Sequence, residues 1–291
     1  EDTDSQLHFY DGKYRIEDIS EEEIASWNKP SQFELALPTV NRLLPESFAI
    51  KTAEFKQQAH PELVFDEQGV KVWRQASQQF AEQPKGLVEV YINTPDALVD
   101  AKAQVLYSVW ADIYNLQQSK LSTEAAVAGM SLGLQPSNGL VLSLSGFTDK
   151  QDVLLAQALE NLQLDVSKEG FEQAIDRYKR DLLNQQQQFP FYQAFGEYSK
   201  LTRSGKFDTE TLIAAANALT LADFAAIKQS TLAANDLRVF SFGNYNQDDV
   251  NSIANKLIAI LPQTHKKSDF ARSKAWLPKL GERIVLQKDI I

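Results

Sequence analysis

A chain of 291 residues, 43% hydrophobic and with ordinary glycine and proline counts, has material for one or two domains with a sizeable core, which excludes a disordered segment. Lysine plus arginine number 29 against 39 aspartates and glutamates, a formal charge of −10 with no basic cluster, so nucleic acid is excluded as a partner class, because phosphate neutralisation supplies most such affinity. The absence of cysteine excludes disulfides and thiolate metal sites and leaves the redox compartment open, while no apolar run approaches the roughly 18 residues of a membrane span.

The opening EDTDSQ has neither the basic nor the apolar region of a signal peptide, and a start at Glu1 is expected of a processed or cut-out piece. Ser20 followed by Glu23 is a capping box predicted to open a short helix reaching Trp27. Between 28 and 61, Pro30, Pro38, Pro45 and Pro61 break any long periodicity. A connection of that length exceeds the roughly 12–15 residues usual for loops inside a compact domain, which favours an inter-domain linker.

Gly86–Asn93 is rich in β-branched and aromatic residues, with Val88, Val90 and Ile92 on one face of a predicted strand. Thr94 as N-cap and Pro95 at the first helical position predict a long helix. Its apolar residues Leu98, Val105, Leu106, Val109, Trp110, Ile113 and Leu116 recur at helical spacing. Ala125–Leu134 and Leu140–Phe147 read as strands joined through Pro136 and Asn138-Gly139 as a hairpin. Asp149 is expected to cap a helix burying Leu154, Ala158, Leu159 and Leu162, and Ser167 another burying Phe171, Ile175 and Leu182. Gln185–Gln188 reads as a solvated helix end. Pro190 then starts a helix bearing Phe195, Tyr198 and Leu201. Asp208 and the Thr220/Asp223 capping box open two more helices, Leu237–Phe242 returns to strand, and Asn246–Leu261 is amphipathic. Lys266-Lys267 and Pro278 mark a second linker, and Glu282–Gln287 reads as the first strand of something further. No repeat is visible within the chain.

The order of certain phrases resembles a known family. Val72-Trp73-Arg74 is followed by Phe80 and Pro84-Lys85, then by Thr94-Pro95 before a long helix. Ala125-x-x-Ala128-Gly129-Met130, Ser145-Gly146-Phe147-Thr148-Asp149-Lys150 and Pro190-Phe191-Tyr192-Gln193-Ala194 come after. Together these resemble the insulinase-type zinc peptidases, in their long-chain pitrilysin/insulysin branch. Two positions depart from the pattern: Thr123 stands where an aromatic is usual, and Ser77 where an acidic residue is common. The family's members carry four similar domains, and this chain is similar to the third. The resemblance implies an α+β, two-layer domain: a largely antiparallel sheet of about six strands, covered by helices on one face, of the mitochondrial-processing-peptidase-like kind. It divides the chain into the end of a preceding domain (1–27), an inter-domain linker (28–61), a non-catalytic domain (62–262), and a linker with the first strand of a following domain (263–291).

Catalysis in that family needs His-x-x-Glu-His, two zinc-binding histidines on one helical face with a glutamate between them that activates water. The three histidines here, His8, His60 and His265, lie far apart in a tail and two linkers, and Pro61 breaks any helix at His60. No catalytic and no metal residue is therefore expected in this chain, and its substrate-binding residues are unknown from sequence. Zinc is expected in the first domain of the parent enzyme. Gly129-Met130-Ser131-Leu132-Gly133 spells the G-x-S-x-G of a nucleophile elbow, but Ser131 lies in a strand signal followed by another strand. The mechanism wants a strand, a tight turn and a helix, with a histidine following. Small residues permitting close packing are the preferred reading. Glu21–Glu23 and Asp248-Asp249 sit where helix N-termini favour negative charge. Trp73, Phe80, Trp110 and Tyr114 are assigned to core packing in preference to a peptide-binding surface.

The function implied is that of a non-catalytic middle domain of a zinc endopeptidase degrading small proteins and peptides. It would form part of the wall of a closed chamber and support the second half. The alternative is a metal-free binding or assembly subunit of the same fold. Implied partners are enclosed peptides and other domains of the same polypeptide, with no membrane, and bacterial relatives of this branch imply a periplasmic location.

Overall fold

Side-chain alternation and local capping account for most of the architecture. The computed structural model of the chain describes residues 3–29, 37, 39–52, 59–163, 165–233, 235–261, 275–285 and 287. Contacts divide it into two units, residues 1–40 and residues 41–291.

The first unit holds a two-stranded antiparallel pair, β1 (Ser5–Gln6) and β2 (Lys13–Tyr14), and a short helix α1 (Glu21–Trp27). The capping box forms as the sequence demands. Ser20 Oγ accepts from the Glu23 amide at 3.2 Å, and the Glu23 carboxylate accepts from the Ser20 amide at 3.0 Å. These bonds hold the Glu23 carboxyl below its ordinary pKa. Trp27 ends α1 exposed.

The second unit is built on six strands: β3 (Glu62–Glu67), β4 (Val70–Gln75), β5 (Lys85–Asn93), β6 (Met130–Ser137), β7 (Gly139–Phe147) and β8 (Asp236–Gly243). Their order is β3-β4-β8-β5-β7-β6, and every neighbouring pair is antiparallel except β4 with β8. The expected α+β class and largely antiparallel sheet are thus present, with one parallel pair making it mixed. Val88, Val90 and Ile92 pair with Leu144, Leu142 and Leu140 on one side and with Ser241, Val239 and Leu237 on the other. All nine are buried, which fixes that face as the core face, because slipping any strand by one residue would turn its set toward water.

Eight helices in this unit are described: α2 (Ala101–Gln117), α3 (Ser119–Val127), α4 (Gln151–Asn161), α5 (Lys168–Gln185), α6 (Pro190–Thr202), α7 (Thr209–Ala218), α8 (Leu221–Ala233) and α9 (Gln247–Ile260). Helix α2 packs on β6 and β7, α4 on β7, and α9 on β3 and β4. Val105, Val109, Trp110, Leu154, Leu159 and Leu257 join the strand residues in one cluster. Ser167 and Asp208 cap α5 and α7 as expected, and Asn246 caps α9.

Three local expectations are corrected. Thr94 caps only a 3₁₀ turn, Pro95–Leu98, and the long helix starts afresh at Asp100, whose carboxylate accepts from the Ala103 amide. The stretch expected as strand from Ala125 is still helix to Val127, because Ala125 packs into the core before Gly129, at φ 72°, turns the chain into β6. Asp149 does not cap α4; Lys150, at φ 65°, precedes it without a side-chain cap. Residues 282–285 and 287, expected as the first strand of a following domain, are irregular here, and a strand forms only against a paired neighbour. The Leu98 side chain, and Lys266 and Lys267, lie outside the described residues.

Asp149 is occupied elsewhere. Its carboxylate accepts from the amides of Glu46 and Ser47 at 2.7 and 3.0 Å, tying residues 41–51 to the domain. Along the same segment, Asn41 donates to the Glu124 carbonyl at 2.7 Å and Leu43 is buried in the core. Farther on, the Asn244 amide accepts from the Lys51 N–H at 2.6 Å and donates to the Ala49 carbonyl at 2.9 Å and Thr148 Oγ1 at 3.1 Å. Lys51 also pairs with Asp249 at 2.7 Å. Asn244→Ala is expected to destabilise the domain by about 2–3 kcal/mol, because it removes the three hydrogen bonds of a buried amide. Hydrogen exchange at the Lys51 amide should rise in that variant; unchanged protection there would show the segment is held by something else.

Candidate functional site

With one sheet face sealed by helices, the alternating residues form the other face, and the strand register arranges them in rows. One row runs Lys71, Arg238, Tyr91, Val141 and Gln135 across five strands. The next runs Trp73, Phe240, Glu89, Ser143 and Gly133, and the third Gln75, Phe242, Leu87, Ser145 and Ser131. Most of these side chains are half-buried, whereas their neighbours along each strand are buried. The Phe240 and Phe242 rings stack at 6.2 Å. A cavity of about 450 Å³ opens at one end of this face, with Trp73, Tyr91 and Phe240 as its apolar lining and Asn93, Asn138 and Arg238 as its polar one.

Charge on this face is paired locally. The Tyr91 hydroxyl donates to Glu89 at 2.6 Å, Arg238 Nε donates to Asp236 at 2.6 Å, and Lys71 meets Asp66 at 2.7 Å. Burial, reinforced by the Glu89 carboxylate, pushes the Tyr91 pKa up to about 12, so Tyr91 is a neutral hydrogen-bond donor at any physiological pH. Aromatic rings beside neutralised charges suit contact with apolar and hydrogen-bonding groups of a peptide.

The residues singled out in the sequence fall in several places. Trp110 and Tyr114 are core residues, as expected, and the Tyr114 hydroxyl donates to the Ala158 carbonyl at 2.8 Å. Trp73 and Phe80 are corrected: Trp73 lies on the open face at the cavity, because β4 points Val70 and Val72 toward the helices, and Phe80, in the turn between β4 and β5, is 51% exposed. Ser131 is exposed on the edge strand β6, its Oγ 2.7 Å from Ser145 Oγ, and β6 leads directly into β7 with no helix between them. His8 lies in the first unit with its ring edge-on to Phe9, and His60 is exposed just before β3. His265 lies outside the described residues. Asp249 forms a capping box with Asn246. Among the described residues, no group of three or more His, Asp or Glu side chains is placed to hold a metal ion. Sequence reasoning missed Tyr91, Arg238, Phe240 and Phe242, although their alternation with Val90, Ile92, Leu237 and Val239 carried the signal.

Comparison with known proteins adds to this geometry. The family described as the middle or third domain of peptidase M16 matches residues 1–215. The chain is 26% identical to Protease 3 of Escherichia coli K12 over 249 residues, which is 85% of this chain and 26% of that protein. It is likewise 26% identical to Protease 3 of Salmonella typhimurium over 271 residues, 92% of this chain and 27% of that one. Human insulin-degrading enzyme is 28% identical over 185 residues, 62% of this chain and 18% of that enzyme. The chain thus spans about a quarter of the length of the bacterial proteins it matches. A crystal structure of pitrilysin superimposes with a TM-score of 0.77 at 24% identity, over 90% of this chain and 28% of that one, a likeness of fold.

Proposed function

This chain belongs to the M16 peptidase family, as its middle or third domain, and from that premise we propose that it is a non-catalytic part of a zinc endopeptidase degrading small proteins and peptides. In this reading the domain forms part of the wall of a closed chamber, and the face carrying Trp73, Tyr91, Phe240 and Phe242 looks onto the enclosed peptide. The observation that carries it is that face: aromatic rings beside locally neutralised, hydrogen-bonding charges, around a cavity. Enclosure excludes water and commits substrate, a role that needs geometry and no reacting side chain. Zinc would be held by the first domain of the parent. The division into 1–27, 28–61, 62–262 and 263–291 belongs to the same proposal, as does a periplasmic location like that implied by bacterial relatives.

Residues 1–291 have no cysteine, so a single one introduced here can report position once any cysteines elsewhere in the parent are replaced by serine. In the whole parent protein, Ser143→Cys on the open face, alkylated with a bulky maleimide, is expected to lose most cleavage of peptide substrates. The same label at Glu172→Cys on α5 should leave cleavage near the unlabelled rate. Equal effects at both positions would remove the chamber-wall reading.

A further inference from the structure

Helix α6 is built unlike its neighbours. Each of the other described α-helices of residues 41–291 buries at least one side chain, and α6 buries none. Yet its sequence is that of a packed helix, with Phe191, Phe195 and Tyr198 at i, i+4 and i+7 on one stripe. These rings are 54%, 66% and 61% exposed. A helix of 13 residues is marginal in water on propensity alone and takes its stability from packing an apolar face. An aromatic stripe of this kind marks an interaction surface.

The path of the backbone indicates what covers it. The Trp276 amide donates to the Thr202 carbonyl at 2.7 Å, and Arg203 forms an antiparallel bridge with Ala275, so the outgoing chain starts from the C-terminal end of α6. Beyond that bridge Trp276, Leu277 and Leu280 are exposed as well. Two apolar segments left uncovered and joined by backbone hydrogen bonds call for one body against both. A membrane surface does not fit: the polar side of α6 carries Gln193 and a Glu197–Lys200 pair at 2.9 Å, not a basic stripe.

We propose that the Phe191–Phe195–Tyr198 stripe of α6, with Trp276 and Leu277, is the seat for the folded polypeptide that follows residue 291 in the parent protein. The inference rests on the chain being the middle domain of a longer protein, whose matched relatives extend well beyond the portion aligned here. It assigns the support of the following part to one helix face.

The test is photo-crosslinking in the whole parent protein, with benzoylphenylalanine in place of Phe195 and, separately, of Tyr198. Both positions are exposed aromatics, so the probe is conservative. Mass spectrometry is expected to find crosslinks from both to residues beyond 291 of the same polypeptide, and none from the same probe at Glu172. Crosslinks to a second copy of the protein, or confined to residues 1–291, would overturn the proposal, as would a failure to crosslink. The readout is independent of activity. Crosslinks beyond 291 in a parent that cleaves no peptide would keep this docking surface and remove the peptidase reading.

Discussion

Gly86→Ala is expected to lower the stability of the domain by about 3 kcal/mol, and its thermal midpoint by about 6–12 °C for a unit of this size. The reason is a close approach of a ring. A Cβ on Gly86 would stand 2.3 Å from Tyr245 Cε2 and 2.7 Å from both its Cζ and its hydroxyl oxygen. Tyr245 cannot yield easily. It is buried, and its hydroxyl donates to Gln151 Oε1 at 2.6 Å. Gln151 in turn donates to the Gly86 and Gly146 carbonyls at 3.3 and 3.2 Å, so moving the ring disturbs the junction of β5, β7 and α4. Burial also raises the Tyr245 pKa far above the ordinary phenol value, so the ring stays a neutral donor. Circular dichroism melting checks the single variant. A double-mutant cycle checks its cause: in a Tyr245→Leu background the same Gly86→Ala change should fall below about 1 kcal/mol. An undiminished penalty there would place the strain in the β5 backbone.

The other large effect separates core aromatics from open-face ones. Trp110→Ala is expected to lower stability by about 4 kcal/mol, since truncating a buried tryptophan typically removes 3–5 kcal/mol. Trp110 stacks on Tyr107 at 6.2 Å and meets Phe224 edge-on at 6.2 Å, and each such pair adds about 0.5–1.5 kcal/mol beyond area burial. Phe224 extends the contact to Phe171 at 5.7 Å, so one substitution loosens α2, α5 and α8 together. Trp73→Ala, on the open face, should lower stability by less than about 1.5 kcal/mol, the range of partly exposed positions. Urea denaturation of the two variants side by side is the measurement. Equal losses would mean that Trp73 belongs to the core after all and that the open face has been misassigned.

What the sequence could and could not disclose follows from the range of each interaction. Caps at Ser20, Ser167 and Asp208 were legible because the capping residue and the amide it serves lie three positions apart. The β6–β7 hairpin was legible for the same reason, with Asn138-Gly139 between two apolar runs. The β3–β4 hairpin escaped notice because its turn is Gln68-Gly69, and a glutamine at φ 46° is not a usual turn signal. Parallel pairing of β4 with β8 joins residues more than 160 apart, and no local pattern encodes it. Asp149 was misread for a related reason: as a local cap it competes with two distant amides, and the tertiary bonds win. Of the open face, the alternation of Leu87, Glu89 and Tyr91 was visible. Its union with Phe240 and Trp73 required the strand order.

The division of labour between this domain and the rest of the parent has a direct readout in metal content. Residues 1–291, stripped with a chelator, refilled with zinc and desalted, are expected to retain substoichiometric zinc and to leave peptide substrates uncleaved. Stoichiometric zinc, or cleavage that returns with the metal, would contradict it.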